Sequence, residues 1–309
     1  MRDMLLYTHL SMLRHQPPRG HAEHPGRLQA VLNALDGMSF DRREAPLAER
    51  LALQRVHAGD YVDLLERAFA QTSEGLVRLD PDTFVSTGSR EAAYRAAGAC
   101  VAAIDAVMAG EDDIAFCAVR PPGHHAEPQQ AMGFCVFNNV AIAAKHALDH
   151  HGMARVAIVD FDVHHGNGSQ TVAEHDARIL FASTHQSPLY PGTGAAYEHG
   201  LDNNVVNVPL PAGAGSALWR QAMGAQVLPA IDAFAPDLIL VSAGFDAHKA
   251  DPLAQMELGE ADFAWAGNAL RELSLRHCKG KLVSTLEGGY DLGALAASAV
   301  AFLGALQRD

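Results

Sequence analysis

The chain has 309 residues, 49% of them hydrophobic, which is enough to bury a sizeable core in one large domain or two ordinary ones. Its formal net charge is −13 and no block of Lys or Arg stands out, so the composition argues against a nucleic-acid or membrane-surface partner. The four cysteines have no CxxC spacing, which favours buried free thiols in a reducing, cytoplasmic compartment. The apolar run near the N-terminus is too short for a signal peptide.

Short apolar runs alternate with longer stretches of helical spacing. The runs are rich in Val, Ile, Leu and Phe without strict polar alternation, as in strands covered on both faces. In chain order, the pattern predicts a helix at 89–110, a strand at 114–119, a helix at 138–152, strands at 155–161, 178–183 and 204–210, a helix at 216–234, a strand at 237–244, a helix at 260–278 and a strand at 281–289. We therefore predict a single α/β domain over residues 1–309, with a central, mostly parallel sheet flanked by helices.

The stretch VAIVDFDVHHGNG, residues 156–168, carries an apolar strand into acidic and imidazole side chains. Period-two alternation places Asp160, Asp162 and His164 on one side, and the glycines that follow allow a sharp turn. Asp162 and His164 supply half of a catalytic zinc site, which needs about three protein ligands and one open position. Asp160 lies one step deeper, where it would orient a neighbouring histidine. Taken by itself, the pattern also fits a capped loop.

A third ligand must come from the end of another strand, since ligands of parallel sheets collect beyond the carboxyl ends. The run LILVSAGFDAHKADP, residues 238–252, offers Asp246 directly after an apolar strand, and we take it as that ligand. Asp251 stands in an Asp-Pro pair, which fits an ordinary turn. His248 is followed by Lys249, and we expect it to be solvated.

Hydrolysis at a metal also needs a proton carrier, and His124 and His125 stand together in a proline-stiffened loop after strand 114–119. The alternative for adjacent histidines is an ordinary surface pair, which is how we interpret His150 and His151. Tyr290 follows two glycines at the end of the last strand, where its hydroxyl can donate to a developing oxyanion. A tyrosine packed at a strand end is the alternative there.

Four motifs, RPPGHHA, DFDVHHGNG, SAGFDAHKADPL and LEGGYD, occur in this order and resemble those of the zinc-dependent histone deacetylase superfamily. That superfamily also contains acetylpolyamine amidohydrolases and acetoin-utilisation proteins. The resemblance runs nearly end to end, and Asn167 in HHGNG is similar to class II members. It implies an arginase-like α/β domain and an amidohydrolase that removes acetyl or other acyl groups from the ε-amine of acyl-lysine.

The resemblance implies two bound ions, a catalytic zinc and a structural potassium beside it. The zinc ligands would be Asp162, His164 and Asp246. The potassium site would be shared among five residues, namely Asp160, Asp162, His164, Ser183 and Thr184.

The resemblance also assigns catalytic roles. His125 would be the general base, with Asn167 as its orienting partner. His124 would pair with Asp160 and tune the electrostatics or assist as an acid. Tyr290 would polarise the substrate carbonyl opposite the metal.

A narrow channel for the acyl-lysine chain is implied as well, lined by Gly133, Phe134 and Tyr190. Arg27 resembles the arginine near the internal cavity through which acetate would leave. Thr83 falls roughly where the family has a rim residue that grips the substrate backbone.

The choice of substrate depends on the position that corresponds to an acidic gatekeeper in polyamine deacetylases. That position is Leu253, which offers no partner to a distal ammonium and so favours an acyl-lysine peptide or protein over N-acetylputrescine. The net charge of −13 points the other way, because a negative field attracts polycations. An acylated small amine therefore stays open as the alternative substrate.

Two other classes share parts of this pattern. A binuclear manganese ureohydrolase would need more Asp and His ligands than DFDVHHGNG supplies. A non-catalytic acyl-lysine binding module would be expected to lack Tyr290 or His125, and this chain has both. An Asp/His/Asp site accepts zinc or iron, and the sequence leaves a homo-oligomer open.

Overall fold

The computed structural model describes residues 4–307, so the predicted domain limits at residues 1 and 309 lie outside the described residues. Eight strands form one sheet in which every neighbouring pair is parallel, in the order β2-β1-β5-β10-β9-β6-β7-β8, and β3 and β4 form a separate antiparallel ribbon. The strands are β1 (Met4–Thr8), β2 (Phe40–Glu44), β3 (Val77–Arg78), β4 (Phe84–Val85), β5 (Ile114–Cys117), β6 (Val156–Asp160), β7 (Ile179–Gln186), β8 (Val205–Leu210), β9 (Leu238–Ala243) and β10 (Leu282–Leu286).

Helices cover both faces of the sheet, which is why strands such as β6 and β9 are buried along their whole length. The α-helices are α1 (Gly26–Ala34), α2 (Arg50–Leu53), α3 (Gly59–Gln71), α4 (Ser89–Met108), α5 (Asn139–Asp149), α6 (Asn167–Glu174), α7 (Ser216–Ala222), α8 (Leu228–Phe234), α9 (Glu260–His277) and α10 (Leu292–Leu306). Within the described part of the chain, none of the helices is both long and apolar enough to cross a bilayer.

The predicted α/β fold with a central parallel sheet is confirmed, and all six predicted strands are present. The predicted helix at 216–234 is interrupted by a π-helical turn at Met223–Val227, which separates α7 from α8. The sequence analysis missed the strands β1 to β4 and the helices α1, α2, α3, α6 and α10. The strand β2 has the sequence FDRRE and lies at the sheet edge, where three of its residues are exposed, so it lacks an apolar run.

The order of the strands positions the predicted site. Because all eight strands are parallel, their carboxyl ends meet at one edge of the sheet. The loops after β5, β10, β9 and β6 carry the motifs identified in the sequence, and these four strands are consecutive neighbours. Residues distant in sequence therefore converge at a single place.

A buried ion-pair network anchors the N-terminal segment beneath these loops. Both carboxylate oxygens of Glu23 accept hydrogen bonds from Arg120, and Oε1 also accepts from Arg27 Nη1 at 3.2 Å. Arg120 also donates to the carbonyl oxygens of Met12 at 2.8 Å and His15 at 3.1 Å. Burial opposes ionisation of Glu23, but the two guanidinium groups hold its pKa well below the ordinary value.

We expect Glu23→Gln to lower the free energy of unfolding by about 3–5 kcal/mol, because it leaves two buried guanidinium groups without their carboxylate. Urea denaturation followed by circular dichroism measures the change. The matched control is Asp232→Asn, which breaks an exposed pair with Arg276 and should change stability little. Equal effects of the two substitutions would show that the Glu23 network does not support the fold.

Candidate active site

Asp162, His164 and Asp246 meet beyond β6 and β9, with one ligand atom of each residue within 4.8 Å of the others. His164 Nδ1 lies 3.1 Å from Asp162 Oδ1 and 3.1 Å from Asp246 Oδ2. All three residues are buried. Two carboxylates and one imidazole form the donor set of a catalytic divalent metal that keeps one position open.

Backbone groups hold the two carboxylates in place. The Val163 amide donates to Asp246 Oδ1 at 2.8 Å, and the Gly288 amide donates to Asp162 Oδ2 at 2.8 Å. A Cβ atom on Gly288 would lie 2.0 Å from Asp246 Oδ2 and 2.6 Å from Asp162 Oδ2. Glycine is therefore required where the chain after β10 passes both carboxylates.

The electrostatics of this cluster also fit a cation. Burial and the nearby Asp162 carboxylate raise the pKa of Asp246 to about 7. Two carboxylates that are both withdrawn from water and close together disfavour each other's ionised form. A divalent cation between them would remove that penalty, so the residues present fit a bound metal.

Two adjacent histidines follow β5, and each contacts a different partner. His124 Nδ1 lies 3.0 Å from Asp160 Oδ2, and His125 Nδ1 lies 2.8 Å from Asn167 Oδ1. The orientation of the Asn167 amide is supported by its Nδ2, which donates to Glu127 Oε1 at 2.6 Å. Because the Asn167 oxygen only accepts, His125 carries its proton on Nδ1 and leaves a lone pair on Nε2. Burial lowers the pKa of His125 well below its ordinary value.

Glu287 is a residue of the site that the sequence analysis missed. It is fully buried, and its Oε2 accepts from the backbone amides of Gly123 at 2.7 Å and His124 at 3.2 Å. Burial raises the pKa of its carboxyl group to about 7. Glu287 thus holds the histidine loop against the end of β10. The signal was a single glutamate between an apolar strand and two glycines in LEGGYD.

Tyr290 is fixed from two sides. Its backbone amide donates to Asp251 Oδ2 at 2.7 Å, and the guanidinium carbon of Arg27 lies 4.8 Å from its ring centre. Asp251 Oδ1 also accepts from the Leu253 amide at 2.9 Å, which is the turn contact expected of it. Arg27 is fully buried and donates to the Gly289 carbonyl oxygen at 2.6 Å, so it supports the loop that carries Tyr290.

A cavity of about 230 Å³ leads to this cluster. Its lining includes Asp82, His125, Gly133, Phe134, His164, Leu189, Tyr190, Leu253 and Tyr290. The Tyr190 ring packs edge-on against His125 at 5.1 Å, and Phe134 packs edge-on against Tyr290 at 5.9 Å. Gly133 has a φ of +56°, and a Cβ there would lie 2.4 Å from the His125 ring, so the wall can pass this close only as glycine.

Two expectations from the sequence are wrong in their placement. Thr83 is buried rather than at the rim, because its Oγ1 accepts from the Phe134 amide at 3.0 Å. Asp82, one residue earlier, lines the cavity instead. His248 is buried rather than solvated, because its backbone pairs with Leu258 and draws the turn inward.

Of the residues predicted to bind potassium, Ser183 and Thr184 lie on β7, next to the strand β6 that leads into the metal cluster. Ser183 is paired with Asp160 in the register of β6 and β7, and both are fully buried. Thr184 follows along β7, where its Oγ1 accepts from Trp219 Nε1 at 3.0 Å. The structure therefore brings Ser183 beside Asp160.

Comparisons with known proteins agree with this geometry. The sequence model of the family described as Histone deacetylase domain matches residues 21–306. The chain belongs to the histone deacetylase family. A histone deacetylase-like amidohydrolase from Pseudomonas aeruginosa is 43% identical, over 89% of this chain and 74% of that protein.

Histone deacetylase 10, chloroplastic, from Oryza sativa is 38% identical, over 98% of this chain and 74% of its own length. The crystal structure of the HDA15 HD domain superposes with a TM-score of 0.92 at 34% identity, covering 99% of this chain and 91% of that one. The family predicted from the four motifs is thus confirmed. This deacetylase is a hydrolase of a metal-dependent family, and the cluster of Asp162, His164 and Asp246 is where its metal fits.

We expect Gly288→Ala to weaken metal binding by this deacetylase at least about tenfold, because the added methyl group displaces two ligand carboxylates. Equilibrium dialysis followed by metal analysis measures the affinity. The matched control is Gly304→Ala, where a Cβ meets no atom within 4 Å. If Gly288→Ala bound metal as tightly as that control, the assignment of the two carboxylates would be wrong.

Proposed function

We propose that this deacetylase removes acetyl or other acyl groups from the ε-amine of acyl-lysine, using zinc held by Asp162, His164 and Asp246. The observation that carries the proposal is the placement of this cluster, with His125 and Tyr290, along a cavity of about 230 Å³. The cavity is walled by aromatic rings, which suit the aliphatic stem of an acyl-lysine. The peptide to which the lysine belongs would stay outside.

The residues of the chain divide the hydrolysis among them. When bound, zinc would supply Lewis acidity toward the amide carbonyl and lower the pKa of water to about 7. His125 takes the proton of the attacking water at Nε2, because Asn167 holds its Nδ1 proton. The Tyr290 hydroxyl donates to the carbonyl oxygen as negative charge develops there. His125 then returns the proton to the leaving nitrogen as the C–N bond breaks, which yields the free amine and the carboxylate.

The proposal extends to the surroundings of this centre. His124, paired with Asp160, would balance charge next to the metal ligands. Oxygen atoms of Asp160, Asp162, His164, Ser183 and Thr184 would hold a structural potassium, since potassium in proteins is coordinated by oxygen. Arg27, at the inner side of Tyr290, would lie near the route by which acetate leaves. We propose one catalytic domain over residues 1–309, in a reducing compartment such as the cytoplasm, because all four cysteines are buried and free.

Tyr290→Phe is expected to keep the metal and to lower kcat on an acetyl-lysine peptide by about 10²–10³-fold, because one oxyanion donor is lost. Asp162→Ala is expected to lose the catalytic metal as well as activity. Steady-state kinetics and metal analysis on the same preparations separate the two effects. Full metal content in Asp162→Ala would refute the ligand assignment.

One feature of the cavity favours a second substrate class, the acetylpolyamines. Asp82 contributes a carboxylate to the lining and could meet a distal ammonium, whereas Leu253 on the same lining offers none. Burial and the adjacent Asp80 raise the pKa of Asp82 to about 6, so it is mostly ionised at pH 7. Leu253, at the position that corresponds to the acidic gatekeeper of polyamine deacetylases, is apolar and therefore favours acyl-lysine over the polyamine.

We therefore expect the zinc-loaded enzyme to have a higher kcat/KM for an acetyl-lysine peptide than for N-acetylputrescine. Leu253→Glu should shift the ratio toward N-acetylputrescine by about tenfold, the effect of roughly 1.4 kcal/mol from one new charge pair. Leu253→Gln, which is similar in size and uncharged, is the control. A wild-type preference for N-acetylputrescine would replace the lysine proposal by the polyamine one.

A further inference from the structure

A second cluster of imidazole and carboxylate groups lies far from the catalytic residues in the fold. Asp105, His146, His150 and His151 each offer a ligand atom, and these atoms lie within 4.8 Å of one another. The sequence analysis interpreted His150 and His151 as an ordinary surface pair. The structure instead places them against Asp105 of α4 and His146 of α5.

The contacts within this cluster converge on one point. His146 Nε2 lies 2.6 Å and His151 Nε2 lies 2.7 Å from the same oxygen, Oδ1 of Asp105. The His150 ring stacks on His146 with centroids 4.7 Å apart and planes at 12°. The same kind of convergence marks the catalytic cluster, where His164 Nδ1 approaches two carboxylates. His146 is buried, while Asp105 and His150 are exposed, so the cluster is anchored in the protein and open to solvent.

The fold places this cluster where a cation is favoured. Asp105 lies in the last turn of α4, His146 in the last turn of α5, and His150 is the residue that caps α5. The carboxyl-terminal ends of helices carry partial negative charge and stabilise cations. His146 and His150 are four residues apart, so they share one face of the helix. Because α4 and α5 lead into the amino ends of β5 and β6, the cluster lies at the sheet edge opposite the catalytic site.

The protonation states are those that metals bind. Burial lowers the pKa of His146, which favours the neutral imidazole. Burial acts to raise the pKa of Asp105, but hydrogen bonds from His146 and His151 lower it on balance. A neutral imidazole and an ionised carboxylate are the ligand forms of these side chains.

We propose that Asp105, His146, His150 and His151 form a second metal site, which binds a borderline divalent cation such as Zn²⁺. Imidazole nitrogen and carboxylate oxygen are both zinc ligands, and the four side chains together supply the four donors of a closed tetrahedral site. Magnesium prefers all-oxygen ligands and is excluded by this donor set. The metal would join the ends of α4 and α5 and stabilise the fold, and this proposal stands apart from the proposed catalysis.

Arg55 contacts the imidazole at the centre of this cluster. Its Nη1 lies 3.3 Å from His146 Nδ1 and donates to it. That contact keeps the His146 proton on Nε2. Metal binding at Nε2 moves the proton to Nδ1, and the Arg55 guanidinium must then turn away. We expect Arg55→Gln to bind Zn²⁺ more tightly at this site, and weaker binding would remove His146 from the ligand set.

The test titrates metal-depleted, full-length protein with Zn²⁺ by calorimetry and measures the bound metal after dialysis. The wild type should bind two equivalents, and Asp162→Ala, which disables the catalytic site, should bind one. Adding His151→Ala or Asp105→Asn to Asp162→Ala should weaken the remaining site at least 100-fold. Adding His175→Ala instead should change nothing, since the His175 side chain is exposed and its Nδ1 donates to the Thr171 carbonyl oxygen.

Further measurements distinguish loss of the second metal site from misfolding of a variant and from failure of the proposed catalysis. Zn²⁺, but not Mg²⁺, should raise the Tm of Asp162→Ala. His151→Ala by itself should keep wild-type deacetylase activity, which shows that it folds. If His151→Ala left the second equivalent in place, or if the wild type bound one equivalent that only Asp162→Ala removed, the second site would be overturned. Loss of one equivalent in His151→Ala but none in Asp162→Ala would support the second site and refute the catalytic one.

Discussion

The carboxylates of Asp162 and Asp246 are held side by side out of contact with water, against one imidazole. An unpartnered ion in such a place costs several kcal/mol, so the surroundings must supply compensation. Backbone amides of Val163 and Gly288 provide part of it by donating to one oxygen of each carboxylate. The remaining oxygens face His164 and the place where a cation fits. The glycine-rich loops and the parallel arrangement of the strands make this close approach sterically feasible.

Two further buried acids, Glu287 and Glu23, and the arginines that contact them stabilise the loops around this cluster. Glu287 accepts from the loop that carries the two catalytic histidines, and Arg27 binds the backbone on either side of Gly288, at the carbonyl oxygens of Glu287 and Gly289. Arg27 in turn pairs with Glu23, which also binds Arg120. Hydrogen bonds and ion pairs thus connect these groups in series, so the N-terminal segment and the catalytic loops form one continuous polar network. Packing alone would hold these loops less specifically.

The sequence predicts the metal-binding part of the site well, because the end of a strand can be recognised from a short stretch of sequence. Asp162 and Asp246 each follow an apolar run, and the parallel fold brings such positions together. The pairing of His125 with Asn167 came only from the family resemblance, since 42 residues separate them. Glu287 was missed because a single glutamate beside an apolar strand has no motif of its own. Thr83 was misplaced by one residue because the turn before it is set by hydrogen bonds to Asp80, which no periodicity reveals.

The position of β10 in the sheet has a consequence for how the protein is made. Among the described residues 4–307 it is the last strand in chain order, yet it lies in the middle of the sheet, between β5 and β9. Until it emerges from the ribosome, the growing chain holds two half-sheets whose inner edges are unpaired and prone to aggregate. The same strand brings Glu287, Gly288 and Tyr290 to the site. The sheet is therefore closed and the catalytic residues are assembled at the same step, when β10 is inserted.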